Sequence, residues 1–384
     1  MKVVIIGAGV AGLAIGWKLA LAGTKVVVLE RAQVGNGATL VSGGMLAAAA
    51  ELGSAAGPEA DFARQANALW PDFAAALEAQ SGFGIAYRRN GALLLRRTGE
   101  APRPDGPLSG GRSTLTAEAA RQMEPLLGGG IEDAIFAPDE AQVDSQALCR
   151  ALAVSFVQAG GEVRATETVV RFEITGGRVT GAITPFTTHR ADAFIIAAGA
   201  WSARIEGLPP EAVPQVVPVK GEIIVLSPPA GVAVPSHVVW GNGIYIVPRR
   251  ERVLVGATME LAGFDTSLTR SALNWLRRQA EGLMPTLKDW RLSEHWAGLR
   301  PAAPDGLPIL GQSSVDGLFV ASGQYRNGIL FAPAVADVLS RLVLERIAID
   351  PAFDPRRFAG TKSPLCVPQT PHKEGGNGAW PTVS

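Results

Sequence analysis

The sequence has few of the residues from which metal sites and disulfide frameworks are built. It contains two cysteines, Cys149 and Cys366, and four histidines among 384 residues. No two of these residues lie close enough in the chain to suggest a metal site, so we predict no metal ligands. Two cysteines so far apart also exclude a small domain stabilised by disulfide bonds.

The sequence also lacks an excess of charge of either sign. Lys and Arg together number 35, Asp and Glu together number 35, and the net charge is zero. Proteins that coat nucleic acid or an anionic membrane surface usually carry a clear positive excess. We therefore predict that neither nucleic acid nor a membrane is a partner.

Apolar segments long enough to cross a membrane are missing as well. The apolar N-terminal region is free of charge over residues 3–17, which is shorter than the ~20 residues that a membrane-spanning helix requires. The spacing of its glycines explains this region better than a signal peptide does. We therefore expect a cytoplasmic protein.

The sequence is rich in apolar residues and in glycine. Hydrophobic residues make up 47% of the chain and charged residues 18%, which is enough for a large core. A chain of 384 residues is longer than one ordinary domain, so two domains are expected. The 45 glycines indicate many turns and close approaches of the backbone.

The N-terminal region has the pattern of a β-α-β unit. Residues 3–7 are an apolar run typical of a parallel strand buried on both faces, and residues 25–30 predict a second such strand. A helix is predicted between them over 10–22. At the end of the second strand, Glu30 could accept both hydrogen bonds of a ribose diol.

Glycines occupy the turn between the first strand and this helix. Gly7, Gly9 and Gly12 have the G-x-G-x-x-G spacing, which permits a tight turn, a close approach of the backbone to a pyrophosphate and close packing of helix on strand. We predict a dinucleotide site here. The alternative is a plain β-α-β unit whose glycines serve packing alone.

The choice between NAD and FAD depends on the C-terminal part of the chain. No second glycine-rich strand–turn–helix unit follows, so one dinucleotide is expected. A helix predicted over 328–346 could place its N-terminus against a reduced flavin and stabilise its negative charge, which favours FAD. The alternative is an ordinary helix start with Asn327 as its cap.

The remaining patterns place further elements along the chain. They predict a helix over 58–80 interrupted near Pro71, a hairpin over 85–97 around Asn90-Gly91, a surface loop over 99–113 and a helix that is capped by Asp144 and runs to 159. Short strands are expected at 162–165, 168–174, 178–184, 193–198 and 318–322, and an antiparallel sheet over 216–260, with turns at Asn242-Gly243 and Arg250-Glu251.

The order of these elements predicts an α/β fold with two domains. A Rossmann-like dinucleotide domain is expected from three separate segments, 1–80, 140–215 and 305–355. A second domain with a large antiparallel sheet would take 81–139 and 216–304. The tail, 361–384, has no periodicity and is predicted to be disordered.

Several segments resemble the glycine oxidases of the D-amino-acid-oxidase superfamily, from residue 1 to about 355. They are MKVVIIGAGVAGLAIGWKLALAG (1–23), SGGMLAAAAE (42–51), YIVPRRERVLVGATM (245–259), HWAGLRPAAPDGLPILG (295–311) and GQYRNGILFAPA (323–334). The resemblance implies an FAD domain and a substrate domain, and the oxidation of glycine to its imine while oxygen is reduced to hydrogen peroxide. In this family the reaction serves thiamine synthesis.

The resemblance also implies which residues contact FAD. Besides the three glycines of the turn and Glu30, these are Val10, Ala11, Arg31, Ala38, Thr39, Gly43, Gly44, Met45, Val169, Gly199, Gln324, Tyr325, Arg326, Asn327, Gly328, Ile329 and Leu330. Neither cysteine matches the one by which some related oxidases attach their flavin, so the FAD is expected to be non-covalent.

The substrate contacts implied by the resemblance are Met45, Tyr245, Met259, Arg300 and Arg326. The surroundings of Arg300 agree with this role, because an arginine among apolar residues needs an anionic partner and its guanidinium can grip a carboxylate through two hydrogen bonds. The alternative is an ion pair with Glu51, Glu294 or Asp305.

The other candidates have structural alternatives. Tyr245 could close over the same carboxylate or be a half-buried tyrosine of a sheet. Arg326 precedes the predicted helix N-terminus, where the helix dipole disfavours a cation, so it indicates a nearby anion or a side chain that points to solvent. His295 could be a general base but is expected to be a packing residue.

The reaction that these residues favour is direct hydride transfer from the substrate to the flavin. Arg300, Tyr245 and Arg326 would position the substrate carboxylate, and no protein acid or base is assigned. The partners are then a small amino acid and oxygen, in a protein that is expected to be a homo-oligomer. Alternatives are a dehydrogenase that passes electrons to a quinone, and a regulatory protein that binds a dinucleotide without catalysis.

Overall fold

The computed structural model describes residues 1–48, 50, 56–101 and 111–359. Its helices are α1 (Val10–Leu21), α2 (Pro58–Ser81), α3 (Ala117–Met123), α4 (Ser145–Gln158), α5 (Arg270–Leu283) and α6 (Ala332–Glu345). Its strands are β1 (Lys2–Ile6), β2 (Lys25–Leu29), β3 (Met45–Leu46), β4 (Ala92–Arg97), β5 (Ser113–Thr116), β6 (Ile131–Ala137), β7 (Ala141–Gln142), β8 (Glu162–Arg164), β9 (Arg171–Thr175), β10 (Arg178–Ile183), β11 (Thr188–His189), β12 (Ala193–Ile196), β13 (Val217–Ser227), β14 (Val238–Gly241), β15 (Ile244–Arg249), β16 (Arg252–Gly256), β17 (Arg291–Ala302), β18 (Ile309–Gln312) and β19 (Leu318–Ser322).

The first large sheet has the strand order β18-β19-β12-β1-β2-β8. All neighbours are parallel except β18 and β19. Its central strands are apolar along their whole length because both faces are covered. Val3 and Ile5 pack against α1, α2, α4 and α6 on one face, whereas Val4 and Ile6 pack against the small sheet β9–β11 on the other.

The second large sheet has the order β17-β13-β16-β15-β14-β4-β6-β5. Its pairs are antiparallel except β14 and β4. One face packs on α3 and α5 through residues such as Ile224, Val253 and Leu276. The opposite face carries Ile223 and Tyr245 and is turned towards the first sheet. The predicted fold class, a parallel dinucleotide-type sheet combined with a large antiparallel sheet, is confirmed.

Two local predictions, the Asp144 cap and the Asn242-Gly243 turn, are confirmed. Asp144 caps α4, because its carboxylate accepts hydrogen bonds from the backbone N–H groups of Gln146 (3.0 Å) and Ala147 (2.9 Å). Asn242 and Gly243 both have positive φ and join β14 to β15, as a type I′ hairpin turn requires. The predicted division into domain ranges stays a prediction.

The predicted interruption of a helix near Pro71 is wrong. Helix α2 continues through this residue from Pro58 to Ser81. A proline inside a helix removes one hydrogen bond and crowds the preceding turn. Burial on both sides of Pro71 offsets this cost, since Trp70 and Leu77 are fully buried and Trp70 Nε1 donates to Leu330 O at 2.8 Å.

The predicted hairpin over 85–97 is also wrong. Gly91 has a φ of +77°, but Asn90 is not among the residues with positive φ, so no type I′ turn forms. The segment before the turn pairs elsewhere: Arg88 N donates to Gln142 O at 2.9 Å. The segment after it, β4, pairs with β6 and β14.

The helix predicted over 328–346 begins later, at Ala332. Residues 328–331 form turns, and Phe331 is the N-cap position. Pro333 in the first turn of α6 explains this start, because proline fits a helix best at its beginning. Asn327 is therefore not the cap of this helix. Strand β17 and helix α5 have no counterpart among the predicted elements.

Two predictions fall outside the described residues. The tail 361–384 lies wholly outside them, and so does most of the loop predicted over 99–113. In the described ranges, no helix combines the length and the apolar character that a membrane crossing needs.

Candidate functional site

A cavity of about 330 Å³ lies between the two large sheets. Strands β1, β2 and β19 contribute to it from the first sheet, and β13, β15 and β17 contribute from the second. Nearly all of the predicted site residues line it, namely Gly7, Gly9, Val10, Ala11, Glu30, Arg31, Ala38, Thr39, Gly43, Gly44, Met45, Val169, Gly199, Tyr245, Met259, Arg300, Gln324, Tyr325, Arg326, Asn327, Gly328 and Ile329.

Gly12 and Leu330 are the predicted residues that do not line the cavity. A Cβ at Gly12 would overlap the carbonyl oxygen of Gly7, so this glycine serves the close packing of α1 on the turn. Leu330 is buried in the core, and its carbonyl accepts the hydrogen bond from Trp70. Leu330 thus lies outside the lining of the cavity, and its contact with the cofactor stays a prediction.

The turn between β1 and α1 presents backbone N–H groups to the cavity. Gly7 has a φ of +109°, and a Cβ there would lie 2.8 Å from the carbonyl carbon of Ala197, so the turn requires glycine. Gly9 is the N-cap of α1 and supplies no side-chain cap, while Val10 N donates to Thr39 Oγ1 at 3.0 Å. Because Gly9 provides no side-chain acceptor, the helix start can offer its donors beyond Val10 N, and a partial positive charge, to an anion.

The next part of the cavity is bounded by Glu30 and Arg31. Glu30 is held by backbone donors, since Oε2 accepts from Ala8 N at 2.8 Å and Oε1 from Ala32 N at 3.0 Å. Each carboxylate oxygen can accept a further hydrogen bond, as a ribose diol would provide. Arg31 stacks over the ring of Trp201, with its guanidinium carbon 3.5 Å from the ring centre, and burial lowers its pKa.

A buried arginine holds the loop that follows along the cavity. Arg249, at the end of β15, donates to the carbonyl of Val143 at 2.6 Å and also to Gly43 O and Gln142 Oε1. Burial lowers its pKa to about 10. Gly44 lies next to the Val143 carbonyl that Arg249 binds. Its φ is +67°, and a Cβ at this residue would overlap Val143 O. Arg249 thereby fixes the loop that leads into β3 and Met45.

Arg300 projects from β17 into the other end of the cavity. Its Nη1 donates to the carbonyl of Thr258 at 3.0 Å. The neighbouring strand leaves room for the guanidinium only because residue 221 is glycine, since a Cβ there would overlap it. Gly221 and Gly298, directly opposite each other on β13 and β17, were not identified from the sequence. An isolated glycine inside a strand was the available signal.

The ion-pair alternatives for Arg300 can be compared with the structure. Glu294 pairs with Arg252, and Asp305 pairs with Arg357 at 2.8 Å. Glu51 lies outside the described residues. Among the residues that the structure describes, no carboxylate lies within ion-pair distance of Arg300, although this side chain is only partly exposed. The guanidinium therefore keeps donors for a carboxylate that enters the cavity.

Tyr245 and Met259 lie beside Arg300. Tyr245 is 6% exposed and fits between Gly43 and Gly256, where a Cβ at residue 256 would come within 2.6 Å of the tyrosine hydroxyl. Its ring packs edge-on against Trp240. The Tyr325 hydroxyl lies 3.1 Å from Met259 Sδ. These aromatic and thioether groups form apolar walls beside the Arg300 guanidinium.

The later start of α6 changes the interpretation of Arg326 and Asn327. Arg326 lies six residues before Ala332, which is too far for the helix dipole to disfavour its charge. The helix dipole therefore no longer indicates an anion near Arg326. Arg326 nevertheless lines the cavity. Asn327 donates from Nδ2 to Glu59 Oε1 at 3.1 Å, and its carbonyl accepts from Phe331 N at 2.8 Å.

His295 does not line the cavity. Its side chain lies on the opposite face of β17, with Nε2 2.8 Å from Glu222 Oε2. This position agrees with the expectation that it is a packing residue and leaves it remote from a substrate in the cavity.

The donors of the cavity fit FAD. Gln324 is 6% exposed and lines the cavity, yet its Nε2 has no hydrogen-bond partner in the described part of the chain. A buried amide donor without an acceptor is costly, and a flavin ring offers carbonyl and ring-nitrogen acceptors. The start of α1, with glycine as its N-cap, and the oriented Glu30 provide the matching groups for a pyrophosphate and a ribose.

Comparisons with known proteins agree with this geometry. The family model described as "FAD dependent oxidoreductase" matches residues 2–342. A glycine oxidase of Geobacillus kaustophilus is 33% identical over 383 residues, which cover 94% of this chain and 96% of that protein. The crystal structure of glycine oxidase from the same species superposes with a TM-score of 0.84 and 32% identity, covering 93% of this chain and 99% of the other.

A longer relative shares the same region. The bifunctional protein ThiO/ThiG of Synechocystis is 35% identical over 380 residues, which are 96% of this chain but 56% of that protein. The chain thus spans about half the length of this relative. With a family match over most of its length and relatives above 30% identity, the chain belongs to the FAD-dependent oxidoreductase family that is named DAO.

Proposed function

We propose that this protein is an FAD-dependent oxidase of glycine and other small amines such as sarcosine. In the proposed reaction, glycine, oxygen and water give glyoxylate, ammonia and hydrogen peroxide. The amino acid loses two electrons and two protons to become an imine, oxygen gains them, and water hydrolyses the imine. The ThiO/ThiG relatives support a role for this reaction in making the thiazole of thiamine.

The observation that carries the proposal is the Arg300 guanidinium. It lies in the cavity with one backbone acceptor and, within the described ranges, no carboxylate partner. A guanidinium binds a carboxylate through two parallel hydrogen bonds. The carboxylate of an amino acid would complete this site, and Tyr245 would close over it from β15.

When bound, FAD supplies the two-electron oxidation by accepting a hydride. The residues of this chain contribute position: Arg300, Tyr245 and Arg326 would orient the carboxylate, so that the Cα–H bond meets the cofactor in one geometry. Met45 and Met259 would limit the space around Cα, which favours glycine and sarcosine over bulky D-amino acids. No side chain is required as an acid or base if the amine enters neutral.

The environment of Cys149 supports non-covalent FAD. This thiol is 4% exposed, and burial raises its pKa to about 12. A thiol with such a pKa is a poor nucleophile at neutral pH, and Cys149 lies on the buried side of α4. Denaturing the purified protein with acid should therefore release all of its flavin into the supernatant.

The proposed function is tested by mixing the flavin-loaded protein with glycine in the absence of oxygen and then with air-saturated buffer. We expect the flavin absorbance to bleach, to recover rapidly with oxygen and to yield about one peroxide per glycine consumed. Slow recovery with oxygen and fast recovery with a quinone analogue would indicate a dehydrogenase instead. A flavin that no amine or amino acid bleaches would contradict both enzymes and favour a binding protein.

A further inference from the structure

The cavity wall around Arg300 is the face of the second sheet that carries Tyr245 and Ile223. Two residues of this face are glycines, Gly221 on β13 and Gly256 on β16, and each lies beneath a long side chain from another strand. A Cβ at Gly221 would lie 2.5 Å from the guanidinium carbon of Arg300, and a Cβ at Gly256 would lie 2.6 Å from the Tyr245 hydroxyl. The two glycines therefore let both polar groups lie close to the sheet.

Ile223 is the side chain between these two polar groups. On β13 it is two residues from Gly221, so the two residues face the same side of the sheet about 7 Å apart. Across the sheet it lies directly opposite Gly256, and residues in such pairs are about 5 Å apart. The Arg300 guanidinium therefore lies on one side of Ile223 and the Tyr245 hydroxyl on another. Ile223 lines the cavity and is 3% exposed.

The surroundings of Ile223 hold its side chain in place. Strand β13 is bonded along both edges, to β16 and to β17, so the backbone at Ile223 is fixed. On β17 the residue opposite Ile223 is Trp296, whose Nε1 donates to the Val41 carbonyl at 3.2 Å. An isoleucine is branched at Cβ and has few accessible rotamers. Its methyl groups thus keep one position between the two polar groups.

This position restricts the shape of the amino acid that can enter. A carboxylate that contacts both the guanidinium and the Tyr245 hydroxyl must lie across Ile223. The residues that fit FAD, such as Glu30 and Gln324, follow strands of the first sheet, on the other side of the cavity. If one Cα–H bond points to that side, tetrahedral geometry turns the other three substituents of Cα towards the second sheet. A substituent larger than hydrogen would then meet Ile223.

We propose that Ile223 is a specificity-determining residue, which restricts the site to amino acids whose Cα carries two hydrogens. Glycine and its N-substituted derivatives have this form. Ile223 acts by occupying space, from the sheet side, in the region that Met45 and Met259 also bound. The inference rests on the proposed function, because it assigns the carboxylate of the substrate to Arg300 and Tyr245.

The test uses the flavin-loaded protein and two carboxylates without an amino group, propionate and 2-methylpropanoate. Propionate carries a methyl group in place of the amine, and 2-methylpropanoate carries a second one in the place of an α-substituent. Each dissociation constant is measured from the change in flavin absorbance. We expect the wild-type protein to bind 2-methylpropanoate at least tenfold more weakly than propionate. Ile223→Ala should reduce this ratio by about tenfold, the usual effect of one methyl group in an apolar pocket.

Val225→Ala is the matched control. Val225 is the next residue on the same face of β13, is fully buried and belongs to the same apolar cluster as Ile223, but it does not line the cavity. Both substitutions remove methyl groups from this cluster and should lower the unfolding temperature, whereas only Ile223→Ala should change the ratio of the two constants. An unchanged ratio in Ile223→Ala, or an equal change in both variants, would overturn the proposal.

Steady-state kinetics provide a second readout. Ile223→Ala should raise kcat/KM for at least one enantiomer of alanine, relative to glycine, by about tenfold. The same preference for glycine in the variant and in the wild-type protein would contradict the proposal. If Ile223→Ala does not fold, Ile223→Val removes a single methyl group and should reduce the ratio of the two carboxylate constants by about threefold. A ratio unaltered by Ile223→Val would then contradict it.

These outcomes are distinct from those for the proposed function. Carboxylates can bind beside Ile223 whether or not glycine reduces the flavin. A wild-type protein that prefers propionate but oxidises no amino acid would refute the oxidase, and a ratio that changes in Ile223→Ala would still support the role of Ile223. A wild-type protein that oxidises glycine, with a ratio insensitive to Ile223→Ala, would refute the role of Ile223 alone.

Discussion

The two ends of the cavity are built in different ways. At the end formed by β1, α1 and β2, the cavity is lined mainly by backbone groups and glycines within residues 7–44, together with Glu30. At the other end, side chains from distant parts of the chain meet, such as Tyr245, Met259 and Arg300. The first end depends on backbone groups that are accessible because the glycines carry no side chains. The second end depends on side chains whose positions are fixed by neighbouring strands and segments.

This difference determines how substitutions should act. A change in the first end should affect flavin binding or folding and leave amino-acid selectivity unaltered. A change in the second should affect the substrate carboxylate and leave flavin content unaltered. The four substitutions below, in order of decreasing expected effect, alternate between the two ends.

Gly7→Ala should have the largest effect. A Cβ would come within 2.8 Å of the carbonyl carbon of Ala197 at a φ of +109°, which should cost about 3 kcal/mol of unfolding free energy and most of the bound flavin. Gly23→Ala is the control, since it shares a positive φ of +78° but has no atom within 4 Å; it should cost about 1 kcal/mol. Urea unfolding with flavin analysis checks both. Equal stability of the two variants would show that the turn does not require glycine for space.

Arg300→Lys should raise the KM for glycine without changing the flavin spectrum. An ammonium group cannot form two parallel hydrogen bonds with a carboxylate, and the expected loss is about 2–4 kcal/mol. Arg252→Lys, which changes an exposed pair with Glu294 across the same sheet, is the control and should change kcat/KM by less than about twofold. Steady-state kinetics that are unaltered by Arg300→Lys would remove Arg300 from the site.

Glu30→Ala should weaken FAD binding by about ten- to a hundredfold, because hydrogen bonds to a charged acceptor contribute about 1.5–3 kcal/mol. Glu162→Ala, on the neighbouring strand β8 and exposed, should leave FAD binding unchanged. The measurement is the flavin retained after dilution and gel filtration. Full retention by Glu30→Ala would mean that this carboxylate does not hold the ribose.

Gly221→Ala should have the smallest effect, at the substrate end. The added methyl group would overlap the Arg300 guanidinium, which is the flexible end of a side chain and can shift at a cost of about 1 kcal/mol, or about fivefold in KM. Gly129→Ala, with no atom within 4 Å, is the control. A KM raised equally by both variants would show that the effect does not come from crowding of Arg300.

The same contrast explains how much could be predicted from the sequence. The β1–α1–β2 unit, the acid at its end and the Asp144 cap follow from signals that are local in the chain, and they were predicted correctly. The environment of Arg300 depends on β17 lying beside β13, a pairing over 63 or more residues of intervening chain that no local pattern specifies. The space above Gly221 depends on the same pairing, so it could not be inferred before the strands were seen together.

The errors have a similar origin. Pro71 and the pair Asn90-Gly91 are strong local signals, but tertiary packing and pairing with distant strands overrode both. In both cases, contacts made after the chain is assembled decided the local conformation. The start of α6 differs, because Pro333 in the first turn is a local signal for the start at Ala332.

The position of Arg249 has a consequence for the exchange of segments between members of the FAD-dependent oxidoreductase family. Its guanidinium belongs to the antiparallel sheet, but its hydrogen bonds end on the carbonyls of Gly43 and Val143, next to the parallel sheet. A chimaera that takes one sheet region from this protein and the other from a relative would separate this donor from its acceptors unless both parents hold the loop in the same way. Transplants that move residues 43–44, 142–143 and 249 as one unit should therefore yield flavin-loaded proteins more often than transplants with a boundary between them.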